Sequence, residues 1–257
     1  MKTPLQFTFI GTGTSQGVPV IACDCEVCQS VDPKDKRLRS AGLLRAASTC
    51  LVIDTGPDFR QQMLREKVKS LDAILFTHQH KDHVAGLDDV RAFNYAQKQD
   101  MQIYANEQTI DRLKIEFAYA FDTPDYPGVP KLRVHEISTK PFMAAGMLFQ
   151  PIPVMHADLP VLGFRIGTFA YITDANVIPP SSMELLRGVE IMVLNALRRN
   201  PHHSHFTLFE AVDVVKEINP RQAYFTHISH LLGKHEEVSR ELPAGISLAY
   251  DGLRIDL

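Results

Sequence analysis

The segment Ala73-Ile-Leu-Phe-Thr-His-Gln-His-Lys-Asp-His83 constrains this chain more than any other. Its apolar first half reads as a short buried strand. At the end of that strand, His78, His80, Asp82 and His83 crowd into six residues. Isolated histidines on surface loops are common, but three imidazoles and a carboxylate at this spacing point to a cation. Such ligands suit zinc, manganese or iron. In a compact turn His78 and His80 can converge on one ion, while Asp82 and His83 turn towards a second. The chain must therefore fold so that a strand end faces other ligands across a pocket.

The remaining apolar runs supply the scaffold. Residues 7–10, 50–53, 102–104, 132–137, 147–154, 163–166, 170–172, 191–194 and 223–225 read as further buried strands. Helical periodicity marks 57–67, 88–97, 107–120, 183–187 and 207–218. The last of these sets Phe209, Val212, Val215 and Ile218 along one face. Strand runs that follow one another between 132 and 172 predict antiparallel hairpins, whereas the flanking units alternate strand and helix. Together they predict an α/β (α+β) fold with sheets sandwiched between helices. No linker or repeat divides residues 1–257, so one domain is expected, with a Cys-rich loop at about 20–40.

Composition removes several classes of function. Of 257 residues, 45% are hydrophobic and 22% charged, which excludes disorder, and a net charge of −3 gives no general grip on nucleic acid or membrane surfaces. The first residues lack the long apolar region of a secretory signal, and no run is long enough to span a bilayer. Four cysteines then read as thiols or metal ligands, and a cytoplasmic location is expected.

The run Thr-His-Gln-His-Lys-Asp-His resembles the T-H-x-H-x-D-H motif of the metallo-β-lactamase superfamily, which implies an αββα sandwich of two mixed sheets. The resemblance extends to strand ends elsewhere. Asp54 is similar to the family's early aspartate, which braces the metal loop. His156, Asp174 and His227 resemble its later ligands. The implied site is binuclear: His78, His80 and His156 hold one ion, Asp82, His83 and His227 the other, and Asp174 bridges. Two divalent cations (zinc or manganese, or iron) about 3.5–4 Å apart share and ionise a water and offset charge on a reacting ester.

A second cluster, Cys23-Asp-Cys25-Glu-Val-Cys28, offers three corners of a tetrahedral zinc site. Cys50, inside a strand run, is a poor fourth ligand; His230, three residues beyond His227, is better placed. Gly11-Thr-Gly-Thr-Ser-Gln-Gly-Val-Pro19, the three cysteines and Thr226-His-Ile-Ser-His230 together resemble the PhnP-like cyclic phosphodiesterase subgroup. That resemblance implies a structural zinc on Cys23, Cys25, Cys28 and His230. It implies hydrolysis of a small phosphodiester, such as a phosphoribosyl cyclic phosphate, by a metal-bridging hydroxide. His205 corresponds to the subgroup's non-ligand histidine, with a role as general acid or phosphate contact, beside Asp82 and Asp54 in the catalytic set. His202 and His203 are expected on the solvated loop, and Lys34, Lys36, Arg37 and Arg39 on a solvated basic face.

H-F-T-L stands where the subgroup carries an acidic residue after the histidine, which leaves the substrate open. A homodimer is implied; no stable nucleic-acid complex or membrane partner is expected. The alternatives are a tRNA 3′-processing endonuclease, whose basic arm is not seen here, a thioester hydrolase, and a non-catalytic metal-binding protein. The spacing G-x-G-x-x-x-G does not fit a dinucleotide fingerprint.

Overall fold

In the computed structural model, which describes residues 5–122 and 128–257, two mixed sheets of seven strands each lie face to face. The first contains β1 (Leu5–Gly11), β2 (Ala41–Ala46), β3 (Thr49–Ile53), β4 (Ala73–Leu75), β5 (Met101–Ala105) and β6 (Leu132–Glu136). The second contains β7 (Phe142–Ala144), β8 (Met147–His156), β9 (Leu159–Ile166), β10 (Phe169–Tyr171), β11 (Ile191–Asn195), β12 (Gln222–Thr226) and β13 (Ile246–Leu248). The last strand, β14 (Arg254–Asp256), returns to the first sheet and pairs antiparallel with β1. Helices α1 (Phe59–Arg65), α2 (Lys81–Val84), α3 (Arg91–Gln97), α4 (Glu107–Glu116) and α5 (Ala118–Asp122) follow strands of the first sheet. Helices α6 (Pro180–Leu185), α7 (Leu208–Ile218) and α8 (His235–Glu241) follow strands of the second.

Three buried clusters explain why the strand runs are apolar on successive residues rather than alternating. Phe7, Phe9, Leu51, Phe149, Phe164 and Tyr171 fill the space between the sheets. Ile10, Val52, Ile74 and Ile103 face outward and meet Phe59, Met63 and Leu113 of the helices. On the other side Ile172, Met192, Leu194 and Phe225 meet Leu208, Val212 and Val215. Both faces of each sheet are covered, so inward and outward residues are all apolar. The order helix, sheet, sheet, helix is the αββα sandwich.

Local departures from the sequence reading have physical causes. Strand β2 carries Gly42 as its second residue, a residue type that weakens strand propensity. Here a Cβ would lie 2.5 Å from the Phe7 ring, so the packing of that ring over β2 requires glycine. Phe209 does not join the buried face of α7; it is 60% exposed. Thr207 caps that helix in a capping box with Glu210, which places Leu208, Ala211, Val212 and Val215 inward and Phe209 outward. The span 88–97 begins as a 3-10 turn at Leu87–Val90, and 107–120 breaks at Phe117 into α4 and α5. Among the described residues no helix is long and apolar enough to cross a membrane.

Candidate metal centre

The site forms where strands from both sheets end on one side. Asp54 follows β3, Thr77 to His83 follow β4, His156 ends β8, Asp174 follows β10 and His227 follows β12. Strands β3 and β4 run parallel, as do β11 and β12, so their C-terminal ends open on the same edge. Three of these residues leave their strands in the left-handed region, Asp54 at φ 66°, Asp174 at φ 54° and His227 at φ 55°. Non-glycine residues held there cost about 1–3 kcal/mol each and cluster at functional sites.

Asp54 lies wholly buried behind the loop rather than in the pocket. Its Oδ1 accepts the Thr77 N–H at 2.9 Å, and its Oδ2 accepts the Thr77 hydroxyl and His83 Nδ1, both at 2.8 Å. With its hydroxyl proton given to Asp54, Thr77 Oγ1 accepts His78 Nδ1–H at 2.9 Å. His156 Nδ1 donates to the Ser204 carbonyl at 2.7 Å. Each ring is thereby fixed in one tautomer, with Nε2 left to face the pocket. His83 Nε2 lies 3.2 Å from Asp82 Oδ2 and 3.2 Å from Asp174 Oδ2. His227 Nε2 lies 3.1 Å from Asp174 Oδ1 and 3.6 Å from Asp82 Oδ2. The rings of His78, His80 and His156 gather on the other side, with centroids 4.7, 5.1 and 5.9 Å apart.

Burial opposes charge on all these groups, and their mutual arrangement overrides it in part. Although burial disfavours the charged form, Asp174, Asp82 and Asp54 hold His83 well above the usual imidazole range. Asp174, buried beside His227 and His83, is held well below the carboxylate range. His78 moves the other way, pushed well down by burial and by His83. The buried Nε2 atoms of His78 and His83, both nitrogens of His227 and Nδ1 of His205 have no hydrogen-bond partner among the described residues. Orphaned buried nitrogens are costly, and a divalent cation is a partner that relieves them. The donor set of imidazole and carboxylate fits such ions.

His205 lies closer than a distant acid would. One of its ring nitrogens falls in a ligand-sized group with His156 and Asp174, within 4.8 Å, and Nδ1 is 3.9 Å from Asp174 Oδ1. Its ring stacks 4.8 Å from that of His227. Burial, then His227, pushes its pKa down to about 2. His203 is exposed, but His202 departs from the expected solvated loop: it is half-buried, with its ring 5.1 Å from His205.

The cysteine cluster closes as its spacing suggests. Cys23, Cys25 and Cys28 Sγ lie 3.3, 3.3 and 3.5 Å from His230 Nδ1. A tetrahedral zinc with Zn–S near 2.3 Å and Zn–N near 2.0–2.1 Å separates sulfur and nitrogen by about 3.5 Å, so the four atoms match such a site. The Cys28 N–H lowers Cys25 to about 6, while burial pushes Cys28 up to about 11. Cys50 is buried among apolar residues of the first sheet's outer core.

Arg37 corrects the expected solvated basic face. It is buried and donates to Thr12 Oγ1, the Ala249 carbonyl and His235 Nδ1 at 2.9, 2.7 and 3.1 Å, because it must satisfy the junction between the Gly11–Gly17 loop and α8. Burial and then Arg37 push His235 down to about 4. An unfolded chain binds this proton near the ordinary histidine value, so the unfolded state gains protons first on acidification. Stability from His235 is therefore full above about pH 6.5, falls as pH drops towards 4, and changes no further below that. Thermal melts across that window should fall less steeply for His235→Gln; an unchanged slope would exclude His235 as the titrating group.

With the geometry in view, the comparisons place the chain. The profile of the Beta-lactamase superfamily domain matches residues 49–228. An octanoyltransferase of Porphyromonas gingivalis is 39% identical over 247 residues, covering 95% of this chain and 50% of that protein. This chain thus spans half the length of that relative. A ribonuclease Z of Mycobacterium marinum is 24% identical over 216 residues, 76% of this chain and 72% of that protein. Among solved structures, a diphosphatase from the PhnP family superposes with a TM-score of 0.94 at 43% identity, covering 100% of this chain and 98% of the other. The αββα sandwich, the histidine-rich strand ends, the domain profile over residues 49–228 and the diphosphatase superposition agree: the chain belongs to the metallo-β-lactamase superfamily and, within it, to the PhnP family.

Proposed function

We propose that this chain is a binuclear metal-dependent hydrolase of small phosphodiesters, with a phosphoribosyl cyclic phosphate as the leading substrate type. The observation that carries the reading is the set of buried, unpartnered imidazole nitrogens aimed at Asp174 from two sheets. His78, His80 and His156 would hold one ion, Asp82, His83 and His227 the other, with Asp174 between them. Bound there, two divalent cations supply an ionised water at neutral pH and neutralise charge on the phosphoryl oxygens. Zinc or manganese suits the donors, with iron also admitted.

The chain's own residues do the positioning. Asp54 keeps a proton on His83 Nδ1, Thr77 orients His78, and the Ser204 carbonyl orients His156. His205, between His156 and His227, is placed to meet the substrate. The cysteine cluster with His230 would carry a structural zinc that fixes the loop after His227. The four cysteines are unpaired thiols, which suits a reducing cytoplasm; a homodimer belongs to the same reading.

The likeness to a diphosphatase favours one second reading, hydrolysis of a phosphoanhydride at the same site. Elemental analysis should find about three metals per chain, two removed readily by chelators and one retained by the thiolates. A panel of bis-p-nitrophenyl phosphate, a ribose cyclic phosphate, a dinucleotide diphosphate, a thioester, a β-lactam and a precursor tRNA then separates the classes. Turnover of the phosphodiesters above the rest is expected. Preference for the diphosphate selects the second reading, and preference for the thioester, β-lactam or tRNA overturns both.

A further inference from the structure

The loop between β11 and α7 is tied down along its length. Arg198 folds over it, donating from Nε to the Asn200 carbonyl at 3.1 Å and from Nη2 to the Pro201 carbonyl at 2.7 Å. Asn176 Nδ2 donates to the His203 carbonyl at 3.1 Å, while its Oδ1 accepts the Ala157 N–H at 2.8 Å, next to His156. Ser204 faces two ways. Its carbonyl accepts His156 Nδ1–H, and its backbone N–H and hydroxyl lie 3.4 and 3.2 Å from His202 Nδ1. One serine therefore orients a proposed cation ligand and an outer histidine together.

A backbone N–H can only donate, so His202 Nδ1 is an acceptor and the ring proton sits on Nε2. Ring centroids order the histidines outward from the centre: His205 lies 4.5 Å from His156 and 4.8 Å from His227, and His202 lies 5.1 Å beyond His205. Half-buried at that rim, His202 has no protein acceptor for Nε2 among the described residues.

We propose that His202 is a substrate-contacting residue whose Nε2–H donates to an anionic oxygen of the phosphoryl group bound at the centre, one histidine out from His205. The proposal rests on the phosphoester reading for its ligand class. A neutral N–H meeting an anionic oxygen makes a charge-assisted hydrogen bond, stronger than a neutral pair. A neutral donor also adds direction without adding a charge that would compete with the cations. Because the tautomer is fixed by Ser204, the donor is present before substrate arrives, which lowers the ordering cost of binding.

The test measures anion binding apart from turnover. Metal-loaded protein is titrated with inorganic phosphate by calorimetry, and phosphate is also measured as a competitor of bis-p-nitrophenyl phosphate. His202→Ala should weaken phosphate about tenfold and raise KM by a similar factor, while kcat moves by less than about threefold. His202→Gln, whose amide Nε2 can replace the donor, should restore most of the affinity, with metal content unchanged in both variants. Phosphate affinity untouched by His202→Ala overturns the proposal. So does an equal loss in the Ala and Gln variants, which would mark a role in holding the loop, and so does wild-type protein that binds no phosphate. Should His202→Ala fail to fold, His202→Gln and His202→Phe decide: phosphate affinity near wild type in the first, which keeps a donor, and weakened in the second, which keeps the ring but no donor, supports the contact, and any other pairing overturns it. If wild type turns over no phosphodiester, the functional reading fails, while the phosphate titrations still decide the role of His202.

Discussion

Asp174→Ala should abolish turnover, by more than about 10³-fold or ~4 kcal/mol of lost transition-state stabilisation, and should remove two metals per chain while the thiolate-bound ion remains. The reason is its central place. One carboxylate oxygen lies 3.1 Å from His227 Nε2 and the other 3.2 Å from His83 Nε2. The Thr173 hydroxyl donates to Oδ2 at 2.6 Å, which fixes the group between the two halves of the site. Among the described residues no other carboxylate joins both groups of candidate ligands: Asp174 lies with Asp82, His83 and His227 in one and with His156 and His205 in the other, whereas Asp82 belongs to the first alone. Removing Asp174 also leaves His83 and His227 with Asp82 alone as the carboxylate beside both. Asp174→Asn keeps the shape but gives up the charge, so it should retain folded protein while binding the ions far more weakly. Elemental analysis of both variants checks this, and an Asp174→Ala protein that keeps all its metal and activity would remove the bridge from the account.

The residues proposed as ligands were legible in the sequence because chemistry confines such groups to strand ends. A histidine or aspartate following an apolar run must sit at a sheet edge, and the His78–His83 cluster says which edge matters. Their tautomers were not legible. Asp54 is recognisable as a brace by resemblance, but its bonds to Thr77 and His83 depend on β3 lying beside β4, a long-range pairing. His156 is held by the Ser204 carbonyl, a backbone group that carries no side-chain signature. The left-handed backbone at Asp54, Asp174 and His227 is likewise silent, because it is set by the closing site rather than by local propensity. Aspartate and histidine both visit that region more often than most residues, so the residue types at these strand ends were a weak hint and no more.

The same distinction accounts for Phe209 and Arg37, whose local hydrophobicity and charge point to the opposite placement from the one they take. Capping geometry at Thr207 rotates Phe209 outward. Arg37 is drawn inside by acceptors on Thr12, Ala249 and His235, far apart in the chain. The half-burial of His202 has a related cause: its environment is made by Ser204, which is itself tied to His156 at the end of β8.

His205→Ala is the second large effect, a loss of about 10²–10³-fold in kcat with metal content unchanged. The expected size is that of removing one preorganised donor aimed at charge growing on phosphorus-bound oxygens. Two roles compete for this residue, proton donor to the leaving oxygen or hydrogen-bond donor to the phosphoryl group, and burial favours the second. With its pKa pushed to about 2 by burial and His227, the imidazole is neutral throughout the neutral range, and cations bound nearby would disfavour its charge further. A neutral ring offers an N–H for hydrogen bonding but parts with that proton poorly. The loss should therefore be the same for a p-nitrophenyl ester, whose phenolate leaves without protonation, and for an alkyl ester, whose alkoxide needs a proton. A loss much larger for the alkyl ester would make His205 the general acid. Departure of a metal from His205→Ala would make it a ligand, as its distance from His156 and Asp174 permits.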